Sequence, residues 1–171
     1  RQRQMCIRDS DNILAMIDRF GYMPNATNEG MLNRSQPPYA SMMVREVYEL
    51  THDKIWLSYA CKILEKEYKF WMTERITSNG LNRYSNHADK SSLMSFYYYV
   101  AGRLGLNPNE CNNDEERLAV ASHFLAEAES GWDFNPRFDS RCEDFNPIDL
   151  NANLYAYEHN FAYFYKETGI G

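Results

Sequence analysis

The chain has 171 residues, of which 44% are hydrophobic and 15% aromatic, and its net charge at pH 7 is −6. These values favour a globular protein that can bury a core and argue against a disordered chain. An acidic chain without clusters of Lys and Arg is a poor candidate for binding nucleic acid, and no apolar run is long enough for a membrane span.

Apolar side chains recur at three- and four-residue steps along most of the chain, which is typical of amphipathic helices. No stretch shows a convincing strand pattern. Ser35 is expected to cap the second helix, with Pro37 and Pro38 near its first turn. The spacing predicts six helices, over about residues 11–20, 35–50, 53–75, 92–104, 114–131 and 148–168.

The order of these elements favours an all-α fold of stacked helical hairpins. Glycine-rich phosphate-binding turns and alternating strand and helix patterns are both missing from the sequence. A helical solenoid is the alternative all-α arrangement, but the sequence has no constant internal repeat that would support it.

The first ten residues differ in character from the rest of the chain. Residues 1–10 have neither helical nor strand periodicity. We interpret them as a foreign segment and assign the folded domain to residues 11–171. An untrimmed genomic clone that encodes the same decapeptide would contradict this interpretation.

The histidines and cysteines give no indication of a metal site. None of the four histidines is separated from another by one or three residues, and the cysteines lack Cys-x-x-Cys spacing. Buried free thiols are the predicted state of the cysteines beyond residue 10. We predict that the chain requires no metal and no cofactor.

The segment Glu129–Phe138 is the strongest candidate for a functional site. It follows a predicted helix that ends at Gly131 and places Asp133 beside Trp132, at a helix end where backbone groups lack helical partners. A carboxyl in such a position can be held in an unusual protonation state. A helix cap packed under an aromatic lid explains the same residues equally well.

Several segments together resemble the trehalases, a family of inverting glycoside hydrolases. Pro24-Asn25 is followed by Arg34-Ser35-Gln36-Pro37-Pro38 and later by Ser130-Gly131-Trp132-Asp133, in the order and at spacings similar to those of the family. Gly80-Leu81-Asn82-Arg83-Tyr84 and Pro147-Ile148-Asp149-Leu150-Asn151-Ala152 fit the same pattern. Five segments in register over about residues 12–168 make the resemblance specific.

The resemblance implies a fold and a reaction. The fold would be a partial (α/α)6 toroid, with about six of twelve helices in antiparallel hairpins, so we expect the chain to be a central fragment of a larger enzyme. The reaction would be inverting hydrolysis of the small disaccharide α,α-trehalose to two glucose molecules. Asp133 would be the general acid, and the general base would be a Glu downstream of Gly171.

The substrate site implied by the resemblance takes residues from both signatures. Trp132 could supply an apolar wall beside the acid, and Glu129 is interpreted either as a neighbouring negative charge or as a residue that lies behind the site or on the solvated face of the helix. The predicted substrate-binding residues are Asn25, Arg34, Ser35, Gln36, Gly131 and Trp132.

Three departures from the family pattern leave the substrate open. Ala26 stands where a Gly is usual, and Asn135-Pro136-Arg137-Phe138 replaces Ser-Ser-Arg-Trp. The Arg-Pro-Glu-Ser segment is not evident around Asp89-Lys90-Ser91-Ser92, so the second glucose site can differ. A related α-glycosidase acting on another disaccharide and a non-catalytic helical sugar-binding or interaction domain are the alternatives.

Overall fold

The structure, a computed structural model, describes residues 2–169 and the side chains of residues 7–169. Within this range the chain forms six α-helices and only isolated β-bridges, which confirms the predicted all-α class and the number of helices. The helices are α1 (Gln2–Phe20), α2 (Ala40–Thr51), α3 (Lys54–Glu74), α4 (Lys90–Leu104), α5 (Asp114–Ser130) and α6 (Ile148–Thr168). No helix in this range has the length and apolar character needed to cross a membrane.

The chain divides into two compact units. The four-helix unit consists of Arg1–Met23, Pro38–Asn82 and Ile148–Gly171 and contains α1, α2, α3 and α6. The two-helix unit consists of Pro24–Pro37 and Arg83–Pro147 and contains α4, α5 and three short 3-10 helices. All of the predicted site residues lie in the two-helix unit. Pro38, the last residue of the first signature, belongs to the four-helix unit.

The core of the four-helix unit is built from the apolar faces of its helices. Leu57, Leu64 and Phe164 are fully buried in this core, together with the Tyr157 ring. The Tyr157 hydroxyl donates a 2.6 Å hydrogen bond to Glu67, whose side chain is also buried. A carboxyl in such a core needs donors, and this tyrosine supplies one of them.

The two-helix unit is a helical hairpin in which α4 packs against α5. Asp89 caps α4 by accepting from the Ser92 amide, and Asn113 caps α5 by accepting from the Glu116 amide. These bonds satisfy amides that have no partner inside the helix, so both starts are fixed locally by sequence. The Asp89 cap explains why α4 begins two residues before the predicted Ser92.

Two predictions about the first half of the chain were wrong. Helix α1 begins at Gln2, so the backbone of residues 2–10 is helical although its sequence lacks clear periodicity. Ser35 does not cap α2, because α2 begins at Ala40 and the Ser35 amide is held by Glu129 instead. The interpretation of residues 1–10 as foreign stays a prediction, and residue 1 and the side chains up to Cys6 lie outside the described residues.

Candidate active site

Helix α5 ends in a tight turn that sets the direction of the following loop. Gly131 adopts a left-handed conformation, with φ of +75°, which glycine accepts without steric cost. The Ser130 hydroxyl then accepts from the Trp132 amide at 3.1 Å, and Asn135 donates from its side chain to the Trp132 carbonyl. The backbone around Asp133 is therefore held from both sides.

Phe134, directly after Asp133, is in a strained conformation. Its φ is +53°, a value that non-glycine residues rarely adopt. Its amide donates a 3.0 Å hydrogen bond to the Glu127 carboxyl, and its ring packs against Phe124 with the Arg103 guanidinium over it. These contacts stabilise a conformation that would otherwise cost about 1–3 kcal/mol.

The loop between residues 24 and 37 brings the other signature to the end of α5. The Asn25 amide donates to the Arg34 carbonyl at 3.1 Å, and the Asn25 side chain donates to the Ala128 carbonyl at 3.5 Å. The Arg34 side chain donates to Asn33 at 2.8 Å and lies 5.8 Å from the centre of the Phe96 ring. The loop is thus fastened to itself and to α5.

Glu129 connects three segments of the two-helix unit. Its side chain is fully buried, and its two carboxylate oxygens accept from the Ser35 amide at 2.9 Å and the Ser85 amide at 2.8 Å. One residue of α5 therefore fixes the loop that carries Asn25 and Arg34 and the segment that leads to α4. These contacts place Glu129 behind the site, and its burial contradicts the interpretation of a solvated helix residue.

A cleft of about 340 Å³ opens where these segments meet, and we call it the main cleft. It combines the predicted acid Asp133 with two of the predicted substrate-binding residues, Asn25 and Arg34. Carboxylate, guanidinium and amide groups converge there beside aromatic rings, a combination that suits a ligand with hydroxyl groups and apolar faces. Its lining consists of Asn25, Gly30, Met31, Arg34, Phe96, Tyr99, Arg103, Ala128, Asp133 and Phe134.

The other predicted site residues do not line the main cleft. Ser35 is fully buried, and Gly131 forms the turn at the end of α5. The Trp132 ring is 52% exposed and lies under the Arg137 guanidinium at 5.3 Å, so it is not the apolar wall that the sequence suggested. Gln36 is half-buried beside Ser35. Phe134 and Phe96 supply the apolar surface instead.

Charges in and beneath the main cleft influence one another. Burial lowers the pKa of the Arg34 guanidinium, while the negative charges of Asp133 and Glu129 act in the opposite direction. Burial raises the pKa of Glu127 to about 7, against the hydrogen bond from the Phe134 amide, and the charge of Asp133 adds to the rise. Glu127 therefore gains and loses its proton close to neutral pH, beside the cleft carboxyl Asp133.

Several residues of the site, Phe134 among them, were not predicted from the sequence. Phe96, Tyr99 and Arg103 belong to the ring-rich helix α4, where three- and four-residue spacing was a usable signal that they share one face. Glu127 precedes the signature by three residues, and nothing in its local pattern distinguishes it from a surface residue. In the described part of the chain no group of three or more His, Cys, Asp or Glu side chains could hold a metal ion.

Comparison with known proteins decides the family. The family model described as Trehalase matches residues 3–170, almost the whole sequence. The chain belongs to the trehalase family. The resemblance of the signatures around Arg34 and Asp133 is thereby confirmed at the level of the family.

Individual trehalases show how much of the fold the chain represents. It is 33% identical to a trehalase of Dictyostelium discoideum over 90% of this chain and 29% of that protein. It is 30% identical to a human trehalase over 92% of this chain and 29% of that protein. The neutral trehalase of Saccharomyces cerevisiae matches with a TM-score of 0.72 and 26% identity, over 92% of this chain and 33% of that structure.

These matches confirm the predicted (α/α)6 fold class. The chain spans less than a third of the length of the two curated relatives above.

Proposed function

We propose that the chain is part of an enzyme that hydrolyses α,α-trehalose to two glucose molecules with inversion, with Asp133 as the general acid. The observation that carries the proposal is that Asp133 lines one cleft with Arg34 and Asn25, although it is distant in sequence from both. Membership of the trehalase family supports the choice of substrate. Arg34 and Asn25 would hold sugar hydroxyls, and Asp133 would donate to the bridging oxygen.

The acid role requires a carboxyl that delivers a proton near neutral pH. Asp133 is exposed on the cleft side, and its backbone is fixed by the turn at Gly131 and by the Glu127 bond to Phe134. The pKa of Glu127, raised to about 7 by burial, places a carboxyl that is partly protonated near neutral pH next to the acid loop. Fixed orientation matters because the acid must reach the oxygen of the bond that breaks.

An inverting reaction needs a second carboxylate, about 6.5–9.5 Å from the acid, to activate water. Among the described residues that line the main cleft, Asp133 is the one carboxylate. We therefore propose that the general base comes from a residue outside this lining. For the same reason we expect the 171-residue chain alone to hydrolyse trehalose no faster than buffer.

The experiment compares Asp133→Asn with the unchanged sequence in an enzyme that contains this whole stretch. We expect kcat to fall by at least about 100-fold, the usual scale for loss of a general acid, with KM and far-ultraviolet circular dichroism little changed. Asp139→Asn is the matched control, because Asp139 is exposed on the same loop and does not line the main cleft. Activity retained by Asp133→Asn would remove the acid role from this residue.

The two alternative functions from the sequence analysis predict different results in binding and activity measurements. A related glycosidase would bind and cleave another α-linked disaccharide in preference to trehalose. A non-catalytic sugar-binding domain would bind trehalose with equal affinity before and after Asp133→Asn, and no enzyme containing this stretch would turn it over.

A further inference from the structure

Phe134 lies between two cavities of the two-helix unit. One is the main cleft, and the other has a volume of about 330 Å³ and is lined by Glu127 and by the loop after α5. Phe134 is the residue that the two linings share. We call this second space the Glu127 cavity and the loop of residues 131–135 the acid loop. A movement of Phe134 toward the Glu127 cavity would therefore change the wall of the main cleft and the position of its neighbour Asp133.

The Glu127 carboxyl is buried and acts on the acid loop through one contact. The residue is 1% exposed, and its Oε2 accepts the 3.0 Å hydrogen bond from the Phe134 amide. Its Oε1 has no hydrogen-bond partner in the described part of the chain. The Phe134 amide is covalently attached to Asp133, so the bond ends one peptide unit from the proposed acid. A change in this bond therefore changes the support of Asp133.

The strength of this bond depends on the charge of Glu127. A hydrogen bond to an ionised carboxylate is about twice as strong as one to a neutral acceptor. The difference is comparable to the cost of holding a non-glycine residue such as Phe134 at a φ of +53°. The ionised carboxylate therefore stabilises the strained conformation, whereas the protonated carboxyl leaves Phe134 able to relax toward an ordinary negative φ.

Burial places this change of charge near neutral pH. It raises the pKa of Glu127 to about 7, against the bond from the Phe134 amide, and the charge of Asp133 adds to the rise. Glu127 is therefore mainly ionised above about pH 7 and mainly protonated below it. Falling pH weakens the bond to Phe134, and rising pH strengthens it.

The other charged or titratable groups around Glu127 lie on the loop after α5, on α4, on α5 and on the short helix Cys142–Asp144. They are Asp133, Asp139, Arg103, His123, Cys142 and Glu143. The Arg103 guanidinium lies over the Phe134 ring at 5.3 Å, and His123 Nδ1 accepts from the Glu143 amide at 3.2 Å. Burial raises the pKa of the Cys142 thiol, so this group is neutral in the range where Glu127 titrates. Asp133 is thus the neighbour whose charge acts on Glu127.

We propose that Glu127 is a pH-sensitive latch on the acid loop. Its ionised carboxylate holds Phe134, and through it Asp133, in the position that lines the main cleft, and protonation releases the loop toward the Glu127 cavity. The inference rests on the proposed function, because the latch positions Asp133 as the general acid. Glu127 does not line the main cleft, so it acts as a positioning residue rather than a catalytic one.

The first test follows single backbone amides of the 171-residue chain by NMR as pH is varied. The Phe134 amide should change its chemical shift with a midpoint near pH 7, and it should lose protection from hydrogen exchange below that midpoint. Glu127→Gln offers a neutral acceptor at every pH, so this titration should disappear. The Glu116 amide is the control, because the uncharged Asn113 side chain holds it at the other end of α5. A Phe134 amide whose shift stays constant between about pH 6 and about pH 8 would overturn the latch.

The second test measures kcat for trehalose in an enzyme that contains this whole stretch, unchanged and with Glu127→Gln. The ratio of the two kcat values at each pH removes the titration of groups that both enzymes share. We expect the unchanged enzyme to be about tenfold faster at about pH 8, the equivalent of one charge-assisted hydrogen bond, and less than about twofold faster at about pH 5.5. Glu115→Gln is the control, because Glu115 is exposed in the first turn of α5, and its ratio should stay near one.

The outcomes separate the latch from the proposed function. A kcat ratio that is constant across this pH range would make Glu127 a structural residue and overturn the latch. Activity retained by Asp133→Asn would overturn the proposed function, and with it the role of the latch in catalysis, although the Phe134 amide would still titrate. If Glu127→Gln does not fold, the amide titration of the unchanged chain decides alone.

Discussion

Replacing Glu129 by Gln should loosen the two-helix unit at two identified amides. The carboxylate accepts from the Ser35 and Ser85 amides with one oxygen each. Gln offers one acceptor oxygen, so its NH2 group must face one of the two backbone donors. The loss of one hydrogen bond to a charged group, with a buried N–H left unsatisfied, predicts a decrease of about 2–4 kcal/mol in the free energy of unfolding.

The assay combines urea denaturation with hydrogen exchange of single amides. Glu129→Gln should lower the denaturation midpoint and speed exchange at Ser35 and Ser85 before global unfolding. Glu115→Gln is the matched control, because Glu115 is exposed in the first turn of the same helix. Its effect should stay within about 0.5 kcal/mol. Unchanged protection of both amides in Glu129→Gln would refute the assignment of Glu129 as the connecting residue.

Three further predictions concern pH, sugar binding and the cleft wall. Burial raises the pKa of Glu67 to about 7. The contribution of this carboxyl to the free energy of unfolding is therefore complete below about pH 4.5, and it is lost as pH rises through about 7. Thermal melts of Glu67→Gln between about pH 5 and about pH 8 should show a smaller loss of stability than those of the unchanged protein. Asn25→Ala should weaken trehalose binding about tenfold in calorimetry, since it removes a polar group from the main cleft. Phe96→Ala should weaken trehalose and glucose binding together, because this ring lines the main cleft; a change in one sugar alone would contradict that role.

The helices that could be predicted from the sequence are those whose position is determined by neighbouring residues. Helices α3, α5 and α6 were placed within one residue at each end, because apolar spacing and the end signals at Asp53 and Gly131 act over a few residues. The all-α class followed from the same local information. The start of α1 was missed because residues 2–10 lack the apolar stripe on which the prediction depended.

The parts of the site that could not be predicted depend on contacts between distant residues. Ser35 looked like a helix cap because capping is a local property, but its amide pairs with a carboxylate 94 positions away. Trp132 looked like a wall because it adjoins Asp133, whereas the backbone turn directs its ring toward Arg137. Signatures indicate which residues meet, and the fold determines which of them face the cavity.

Two buried carboxylates at the end of α5 hold the site together, although their burial would be unfavourable without donors from other segments. Carboxylates in the last turn of a helix lie near its negative end, and Glu127 and Glu129 are both buried there. Each therefore needs donors from outside the helix. The amides of Ser35, Ser85 and Phe134 supply them, and these amides belong to the first signature loop, the approach to α4 and the acid loop.

The two buried carboxylates at this helix end therefore fix the positions of three other segments. Replacing both carboxylates by Gln should relieve the unfavourable charge and still disorder the site, because the three segments would lose their common acceptors. A double variant with higher sugar affinity than either single variant would show that the segments are held by packing alone. Losses of affinity and amide protection at least as large as those of either single variant are the expected result, because Glu127 and Glu129 hold different amides.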